Sequence, residues 1–548
     1  METKDKRSFS FFRSRFGRSL LQSKYIFSLL LMLLSLKTSA DFTYVLFGAA
    51  EMVLVFLLSE LLIKRNATAA YLLNSILLLL LNIQFGILLF SGAFLQPIML
   101  SNVLSVRMLE GKLVRFCLTA LLVLGFSFIP IYAVSWSRSS IRGFLSSALA
   151  VELVMTMVFG SIFSPFYGIA DTIGKEIGSA RDRRRIGQMS RDEERFLKSG
   201  ILQYRAKPDT IGDRPNIILI FTEGLSQEII SDSRNIMPNV RDFQRETLSF
   251  EHYYNHTFAT YRGIIGSLFS GYQYLNLDSN RLISFQGILK DRGYHTCFIN
   301  TEPDNAAFTG YLEHLGFDEV IDHVTGECDY RLKNDKEAYE LLTAYLTRNM
   351  GNEQPWLTCI YTVGTHMTFD SEDEQYGDGS DRFLNRFYNL DCQFGSFLSW
   401  FKESGLYDST ILVFTTDHAT FADEDYVAVF DRLNEREIAL GRIPLLIYYP
   451  GVEAETLDAM GRNSLDLVPT LCDLLDIDCE NYFLGSTLFC NVGEANNSYE
   501  TVFLADTDGS IRNTINGSID SLDEQQKEIL LWNIKSYFAT AREKNEDG

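Results

Sequence analysis

Three residue types that bind metal ions follow two uninterrupted apolar runs. Glu223 follows the run 216–222, and Asp417 and His418 follow the run 410–416. Short apolar runs without alternation are typical of strands buried on both faces of a parallel sheet, and ligands bind beyond the carboxyl ends of such strands. The pattern therefore predicts that two carboxylates and an imidazole meet at one sheet edge and bind a divalent metal ion.

A hydroxyl and a second imidazole are expected near the same edge. The stretch 256–271 predicts a turn that opens a helix, with Thr260 at the turn, and His366 follows the apolar run 356–363. Backbone amides at a helix start bind anions. A metal ion beside a hydroxyl lowers its pKa and makes it a usable nucleophile, and the ion also neutralises phosphate charge. These residue types together favour chemistry on a phosphate group.

Each residue taken singly has an ordinary structural explanation. Glu223 and Thr260 could cap the helices that follow them, and His366 could be a hydrogen-bonded structural histidine. Their order along the chain and their shared place after strands favour the metal site. A mixed shell of carboxylate, imidazole and hydroxyl suits Zn²⁺ or Mn²⁺, with Mg²⁺ as the alternative.

The elements that must hold these residues alternate from about residue 200 onward. Alternation of buried strands with helices predicts an α/β domain with a mainly parallel central sheet. The expected strands are 216–222, 295–300, 357–363, 410–416 and 443–449. The expected helices include 334–350, 382–404, 466–475 and a charged helix within 520–548.

The first 200 residues have a different composition. They carry 23 Lys and Arg against 13 Asp and Glu, whereas the remaining residues carry 26 against 57. The acidity of the second part argues against nucleic acid as a partner. About 20 apolar residues cross the hydrocarbon of a bilayer as a helix. We therefore expect about five transmembrane helices, at 25–40, 42–63, 70–95, 113–135 and 143–169.

Positive charge predicts the orientation of these helices. The basic leader and the basic loops at 64–65 and 138–142 are expected on the cytoplasmic side, which places the acidic part outside. Cys472 and Cys479 could then form a disulfide in an oxidising compartment. The predicted domains are a cytoplasmic leader (1–24), a transmembrane domain (25–170), a juxtamembrane linker helix (171–210) and an extracytoplasmic catalytic domain (211–548).

Six segments in combination resemble a known family. They are NIILIFTEGLS, HTFATYRGIIGSLFSG, YTVGTHMTFD, VFTTDHATF, IPLLIYYPG and VPTLCDLL with ENYFLGSTLF. The combination is similar to the membrane-anchored sulfatase-like transferases of the alkaline phosphatase superfamily. This family includes lipoteichoic acid synthase and the phosphoglycerol and phosphoethanolamine transferases. Its architecture, five amino-terminal transmembrane helices before an extracytoplasmic catalytic domain, agrees with the organisation expected above.

The resemblance implies roles for individual residues. The two carboxylates and the imidazole at the strand ends would bind one divalent ion, with Thr260 as fourth ligand and nucleophile. Thr260 fits this role better than Thr257, because a helix start rich in Gly and Ser follows it. His366 would contact the transferred phosphate or the leaving group, and Arg262 would bind substrate.

The implied activity is transfer of a substituted phosphoryl group from a membrane phospholipid headgroup to an envelope glycan or glycolipid, through phospho-Thr260. Phosphoglycerol is favoured, because the region after Thr260 and ENYFLGSTLF resemble that branch. The alternatives are phosphoethanolamine transfer to lipid A or a glycan, phosphodiester hydrolysis, and non-catalytic lipid binding. A formylglycine sulfatase is disfavoured because Cys/Ser-x-Pro-x-Arg is missing. The implied location is the bacterial cytoplasmic (inner) membrane, with the catalytic domain periplasmic or extracellular; no protein partner is indicated.

Overall fold

The protein is described here by a computed structural model. It describes residues 15–39, 41–95, 99, 113–131, 136–273, 280–326, 329–366, 369–371, 373–421, 424–430, 440–491, 499, 501–505, 511–514 and 522–542. The chain divides into two compact units. The first contains Met1–Gly178 and Ala422–Arg436, and the second contains Ser179–Phe421 and Glu437–Gly548.

The first unit is built mainly of apolar helices. Their bounds are α1 Arg15–Ser39, α2 Phe42–Ile63, α3 Ala67–Ser91, α4 Leu113–Ser127 and α5 Arg138–Phe159. Each overlaps one of the five predicted apolar segments. Within the described residues, α2, α3 and α5 are long and apolar enough to cross a membrane, whereas α4 is shorter. The predicted organisation, apolar helices followed by an α/β domain, is confirmed; the number of five spans remains a prediction.

Polar residues cap the starts of three of these helices, and Ser137 does so for α5 by accepting from the amide of Ser140 at 3.1 Å. Asp41 accepts a hydrogen bond from the amide of Thr43 at 2.8 Å and caps α2. Asn66 accepts one from the amide of Ala69 at 3.0 Å and caps α3. These caps satisfy amides that lack a partner inside the helix. The helices therefore begin where the apolar sequence begins.

A helix that continues from the first unit into the second follows α5. This helix, α6, spans Pro165–Gln188, and a single turn, α7, follows at Glu193–Phe196. The predicted linker helix, 171–210, thus begins earlier and ends earlier than expected. Residues 1–14 of the predicted leader lie outside the described residues.

The second unit is organised around an eight-stranded sheet with the strand order β4-β3-β5-β1-β6-β7-β2-β8. Its neighbours pair in parallel except where β7 contacts β6 and β2. The strands are β1 Asn216–Thr222, β2 Leu248–Glu251, β3 His295–Ile299, β4 Glu319–Ile321, β5 Trp356–Thr362, β6 Thr410–Thr416, β7 Leu446–Tyr448 and β8 Glu455–Asp458. The predicted mainly parallel sheet is confirmed.

The helices of the second unit accompany this sheet, and a second small sheet is separate from it. These helices are α8 Gln227–Ile230, α9 Pro238–Glu246, α10 Thr260–Phe269, α11 Phe285–Asp291, α12 Ala306–Glu313, α13 Asp335–Asn349, α14 Arg382–Glu403, α16 Leu467–Leu474 and α17 Glu524–Ala541, whereas α15 Glu424–Phe430 belongs to the first unit. The small sheet pairs β9 Val502–Leu504 with β10 Ile511–Asn513. Cys472 and Cys479 are free thiols, so the disulfide allowed for these two residues is not formed.

The central strands form the core because they are apolar on both faces. Residues 217–221 of β1 are all at most 1% exposed, and all of β6 is buried. A parallel sheet is covered by helices on both faces, so the apolar side chains on both sides of these strands are buried. The polar residues that follow these strands are therefore held at the edge of a rigid element.

Candidate metal centre

The strand register brings the predicted metal-binding residues together. In β1, Thr222 pairs with Thr362 of β5 on one side and with Thr416 of β6 on the other. Glu223 and Asp417 therefore leave the sheet at the same level. One side-chain ligand atom from each of Glu223, Asp417 and His418 lies within 4.8 Å of the others. All three residues are buried.

The two carboxylate oxygens of Asp417 differ in their hydrogen bonding. Oδ1 accepts from the amides of Gly224 at 2.9 Å and His418 at 2.7 Å. Gly224 adopts a positive φ of 49°, which turns its amide toward that oxygen. Oδ2 is buried and has no hydrogen-bond partner in the described part of the chain. A buried carboxylate oxygen without a donor fits a bound cation, since an unsatisfied charged atom is otherwise costly.

His418 presents one ring nitrogen to the carboxylates. Its Nδ1 lies 2.8 Å from the carbonyl oxygen of Ala419 and donates to it. This contact leaves Nε2 facing Glu223 Oε1 and Asp417 Oδ2, each at 3.5 Å. A histidine whose second nitrogen is fixed by a carbonyl is the usual arrangement of a metal ligand. The donor set, two carboxylates and an imidazole, therefore fits a divalent ion of the Zn²⁺ or Mn²⁺ type.

The charges of the cluster shift the pKa values of its members. Burial alone would raise the pKa of Glu223. The imidazoles of His418 and His366, together with hydrogen bonds from two hydroxyls, outweigh burial and lower that pKa. Burial raises the pKa of Asp417. Burial favours neutral His418, but the two carboxylates outweigh it and raise the pKa of that imidazole. The cluster thus attracts positive charge to its centre.

Thr260 is placed next to this cluster by the start of α10. Its Oγ1 donates to Glu223 Oε2 at 3.1 Å. The preceding residue, Ala259, adopts a positive φ of 81° and caps α10 without a side-chain bond. Neither Thr260 nor Glu223 caps a helix: Ser226 stands at the cap position of α8. The ordinary capping explanation considered for both residues is therefore not what their contacts show.

Gly263 allows the helix to come this close. A Cβ at this position would lie 2.2 Å from the backbone oxygen of Asp417, well inside any real contact distance. One turn of α10 thus packs directly on the backbone of Asp417. The close approach fixes the position of Thr260 relative to Glu223.

Tyr361 is a site residue that the sequence reasoning missed. It lies near the end of β5, and its hydroxyl donates to Glu223 Oε2, the oxygen that also accepts from Thr260. The ring is 1% exposed. The only signal was its place near the end of a buried strand that neighbours β1, because a polar hydroxyl there must find a partner. Tyr361 therefore orients the Glu223 carboxylate.

His366 lies in a loop that two buried residues hold. The amide of Gly364 donates to Asp335 Oδ1 at 2.9 Å, and Arg386 Nη1 donates to the backbone oxygen of His366 at 2.8 Å. Between them, Thr365 donates to the backbone oxygen of Glu223. The loop is thereby tied to the backbone of Glu223, and the imidazole of His366 is one of the groups that lower the pKa of Glu223.

Arg262 is placed differently from the other predicted site residues. Its side chain is 1% exposed on the buried face of α10. Its charge acts on His418 and on the buried His256. This placement makes Arg262 a buried positive charge beside the cluster, and its predicted contact with substrate remains a prediction.

The sheet order and the helices around it give the second unit an α/β fold that a solved structure shares. That structure, of a protein in the alkaline phosphatase superfamily from Vibrio parahaemolyticus, aligns with a TM-score of 0.51 and 18% identity over 67% of this chain and 98% of that one. Residues 215–477 match the family model described as Sulfatase. The domain formed by these residues belongs to the sulfatase family.

Two curated proteins of Bacillus subtilis (strain 168) are similar to this chain. The lipoteichoic acid synthase-like protein YvgJ is 25% identical over 300 residues, 48% of this chain and 48% of the relative. Lipoteichoic acid synthase 2 is 25% identical over 310 residues, 50% of this chain and 46% of the relative. The chain thus matches about half the length of these relatives.

Proposed function

We propose that this protein transfers a substituted phosphoryl group from a phospholipid headgroup to an envelope glycan or glycolipid. Phosphoglycerol is the favoured group, and phosphoethanolamine is the second choice. The observation that carries the proposal is the 3.1 Å contact between Thr260 Oγ1 and Glu223 Oε2. It places an accessible hydroxyl at a helix start against a buried cluster with the donor set of a metal site. A hydroxyl so placed is suited to attack phosphorus.

The metal site would supply charge stabilisation. Glu223, Asp417 and His418 would hold one divalent ion, Zn²⁺ or Mn²⁺ in preference to Mg²⁺, with Thr260 as a further ligand. Such an ion neutralises phosphate charge and lowers the pKa of a neighbouring hydroxyl. Thr260 would act as the nucleophile, and His366 would transfer protons.

In the first half-reaction, Thr260 Oγ forms a bond to the phosphorus of the headgroup as its hydroxyl proton passes to solvent water. The bond from phosphorus to the diacylglycerol oxygen breaks. His366, as imidazolium, donates a proton to that oxygen and releases diacylglycerol. The amides at the start of α10 stabilise the charge on the phosphoryl oxygens. The product is Thr260 carrying the phosphoglycerol group.

In the second half-reaction, an acceptor hydroxyl forms the new bond to phosphorus. Neutral His366 takes the proton of that hydroxyl, the bond to Thr260 Oγ breaks, and Thr260 Oγ takes up a proton from solvent water. Glu223 keeps its orientation throughout because Tyr361 donates to it. The protein returns to its starting protonation state.

The first unit and the relatives support this choice of substrates. Among the described residues, three apolar helices are long enough to span a membrane, which favours a donor that resides in the bilayer. Two relatives bear names of lipoteichoic acid synthesis, which supports a phosphoglycerol group and a glycan or glycolipid acceptor. We place the protein in the bacterial cytoplasmic membrane with the second unit outside.

The decisive experiment compares three threonine variants. Thr260→Ala should lower turnover at least about a thousandfold, as loss of a nucleophile does, and Thr260→Ser should retain measurable turnover. Thr257→Ala is the matched control, because Thr257 donates to the backbone oxygen of Leu504 at 3.0 Å and is fully buried. It should lose about 1 kcal/mol of stability and keep its activity.

Product analysis separates the proposal from its rivals. Purified protein in detergent with radiolabelled phosphatidylglycerol should release diacylglycerol, and the quenched protein should carry a phosphoglycerol adduct on the peptide containing Thr260. Free glycerol phosphate as the sole product even with acceptor present would instead identify a hydrolase. An active Thr260→Ala protein would refute the covalent mechanism.

A further inference from the structure

Helix α6 carries positive charge that takes no part in the chemistry described above. Four exposed arginines lie close together near its end: Arg181, Arg183, Arg184 and Arg185. None of these arginines forms an ion pair within the described residues. The aspartates of this helix pair with lysines instead, Asp171 with Lys175 at 3.2 Å and Asp182 with Lys535 at 2.6 Å. The charge of the arginines is therefore open to a partner from outside the chain.

Two of these arginines share one side of α6 with exposed apolar residues. At 3.6 residues per turn, four side chains fall within an arc of about 80°; they are called the α6 face and are Ile173, Ile177, Arg181 and Arg184. The two isoleucines are 54% and 48% exposed. Three buried residues of the same helix lie on its other side: Thr172, Ser179 and Ile186. Isoleucines followed by arginines along one exposed face suit the boundary between acyl chains and headgroups.

The first half of α6 is fixed beside a helix that is long and apolar enough to span a membrane. Gln84 of that helix, α3, donates through Nε2 to the backbone oxygen of Pro165 at 3.1 Å. Thr172 Oγ1 donates to the backbone oxygen of Leu95 at 2.7 Å. Leu95 follows the end of α3 at Ser91. With α3 spanning the membrane, Thr172 therefore lies near the level at which α3 leaves the bilayer.

Helix geometry then limits how far the α6 face lies from the bilayer. A helix rises 1.5 Å per residue, so Ile177 lies at most about 8 Å and Arg181 at most about 14 Å beyond the level of Thr172. The headgroups of one leaflet are about 5–8 Å thick, and their potential extends about 8 Å further at physiological ionic strength. A tilted helix brings both residues closer. The α6 face is therefore within reach of the headgroups at every tilt.

We propose that the α6 face docks onto the anionic phospholipid headgroups of the leaflet from which α6 emerges. The isoleucines contact the boundary of the acyl chains, and the arginines donate to headgroup phosphates. Charge complementarity selects this partner. The residues after 200 carry 57 Asp and Glu against 26 Lys and Arg, so an anionic bilayer repels them, and the α6 face supplies the attraction that they lack. Docking requires only the placement of the first unit in a membrane, whether or not Thr260 reacts.

The first test measures docking without measuring activity. A fluorophore is attached to full-length Ala180→Cys protein, at an exposed position beside the α6 face. The protein is reconstituted into vesicles of phosphatidylcholine, alone or with phosphatidylglycerol, that contain a lipid with a spin label on its headgroup. This spin label quenches fluorophores that it contacts. Protein without the new cysteine, labelled in parallel, gives the background from native thiols such as the exposed Cys117.

Phosphatidylglycerol should increase the quenching of the label at position 180 about threefold or more, because it adds the negative charge that the arginines bind. Added salt should reverse the increase, because salt screens exposed charges. Equal quenching in the two kinds of vesicle overturns the proposal.

Two adjacent arginines provide a matched pair of variants. Arg184 belongs to the α6 face, whereas Arg183 lies about 100° around the helix from it and outside that face. Loss of one arginine from an anionic surface shifts the docking equilibrium about fivefold. Arg184→Gln should therefore weaken docking about fivefold, and Arg183→Gln, with the same change of charge, should stay within about twofold of the parent. The double variant Arg181→Gln, Arg184→Gln should abolish the response to phosphatidylglycerol. Equal losses in the two single variants would indicate general charge attraction and overturn the assignment to this face.

Two other partners are separate outcomes of these measurements. Polyphosphate binding that depends on Arg184, with no response to phosphatidylglycerol, would identify a site for a soluble polyanion. Dimers of the parent that Arg184→Gln dissociates, again with no response to phosphatidylglycerol, would identify a second copy of this chain. Either result overturns docking to lipid. Thr260→Ala protein should dock as the parent does, so the docking measurement and the turnover measurement test the two proposals separately.

Discussion

Gly263→Ala is the substitution that most directly tests how the fold positions Thr260. The new Cβ would lie 2.2 Å from the backbone oxygen of Asp417, whereas ordinary contacts begin near 3.4 Å. Helix α10 and the end of β6 must therefore separate by about 1 Å, because a packed interior has no free space to absorb the overlap. Thr260 lies one turn away and moves with the helix.

The expected consequence is loss of activity with retention of the fold. A displacement of about 1 Å in a reacting group lowers kcat about a hundredfold, and overpacking destabilises a protein by about 1–3 kcal/mol. Turnover is measured as diacylglycerol released from labelled phosphatidylglycerol, stability by thermal unfolding, and metal content on the same purified protein. Metal should largely remain, because its ligands Glu223, Asp417 and His418 stay on the sheet edge.

Gly310→Ala is the matched control. Gly310 lies in helix α12, and nothing lies within 4 Å of the position its Cβ would take. This substitution should leave turnover unchanged and stabilise the helix by up to about 1 kcal/mol. If Gly263→Ala retains turnover within about threefold of the parent, the close approach does not position the nucleophile and the reasoning is wrong.

Three other predictions concern the metal, the pH dependence and the orientation. Asp417→Asn should lose the bound metal and keep a folded domain, as judged by metal analysis and circular dichroism; retention of one metal per chain would exclude Asp417 as a ligand. Burial raises the pKa of Asp335 to about 7, above its value in the unfolded chain, so the folded protein binds the extra proton and its stability falls as pH rises from about 4 to about 7. Asp335→Asn keeps an acceptor for the amide of Gly364 and should remove this fall, worth at most about 4 kcal/mol, in unfolding curves recorded at pH 5 and pH 8; equal pH dependence in both proteins would contradict it. A cysteine placed at the exposed Ser380 should react with a membrane-impermeant maleimide in intact cells more strongly than the parent protein does, and reaction only after lysis would reverse the orientation.

Runs of apolar residues made the central sheet predictable. The strands β1 and β6 have the bounds expected from the sequence, and β3 and β5 differ by one residue at their ends. These strands are buried on both faces, so their sequences carry no alternation and stand out. The strands β2, β4 and β8 were not predicted, because they are three or four residues long and lie toward the edges of the sheet. So short a segment has no periodicity to detect.

The cluster of Glu223, Asp417 and His418 was predictable for the same reason. Glu223 and Asp417 directly follow predicted strands, and parallel strands end at a common edge, so sequence order alone brings them together. The sequence also predicted that Thr260 and His366 lie near that edge, because one stands at a predicted helix start and the other follows a predicted strand. The domain boundaries and the roles of these residues remain predictions that the experiments above address.

Other contacts were decided only by the tertiary structure. Tyr361 reaches Glu223, Gly263 packs on the backbone of Asp417, and Asp335 holds the amide of Gly364. Each pair joins elements that are far apart in the chain. A sequence pattern reports which residues share a face of one element, because periodicity is a property of a single helix or strand. It does not report which faces meet.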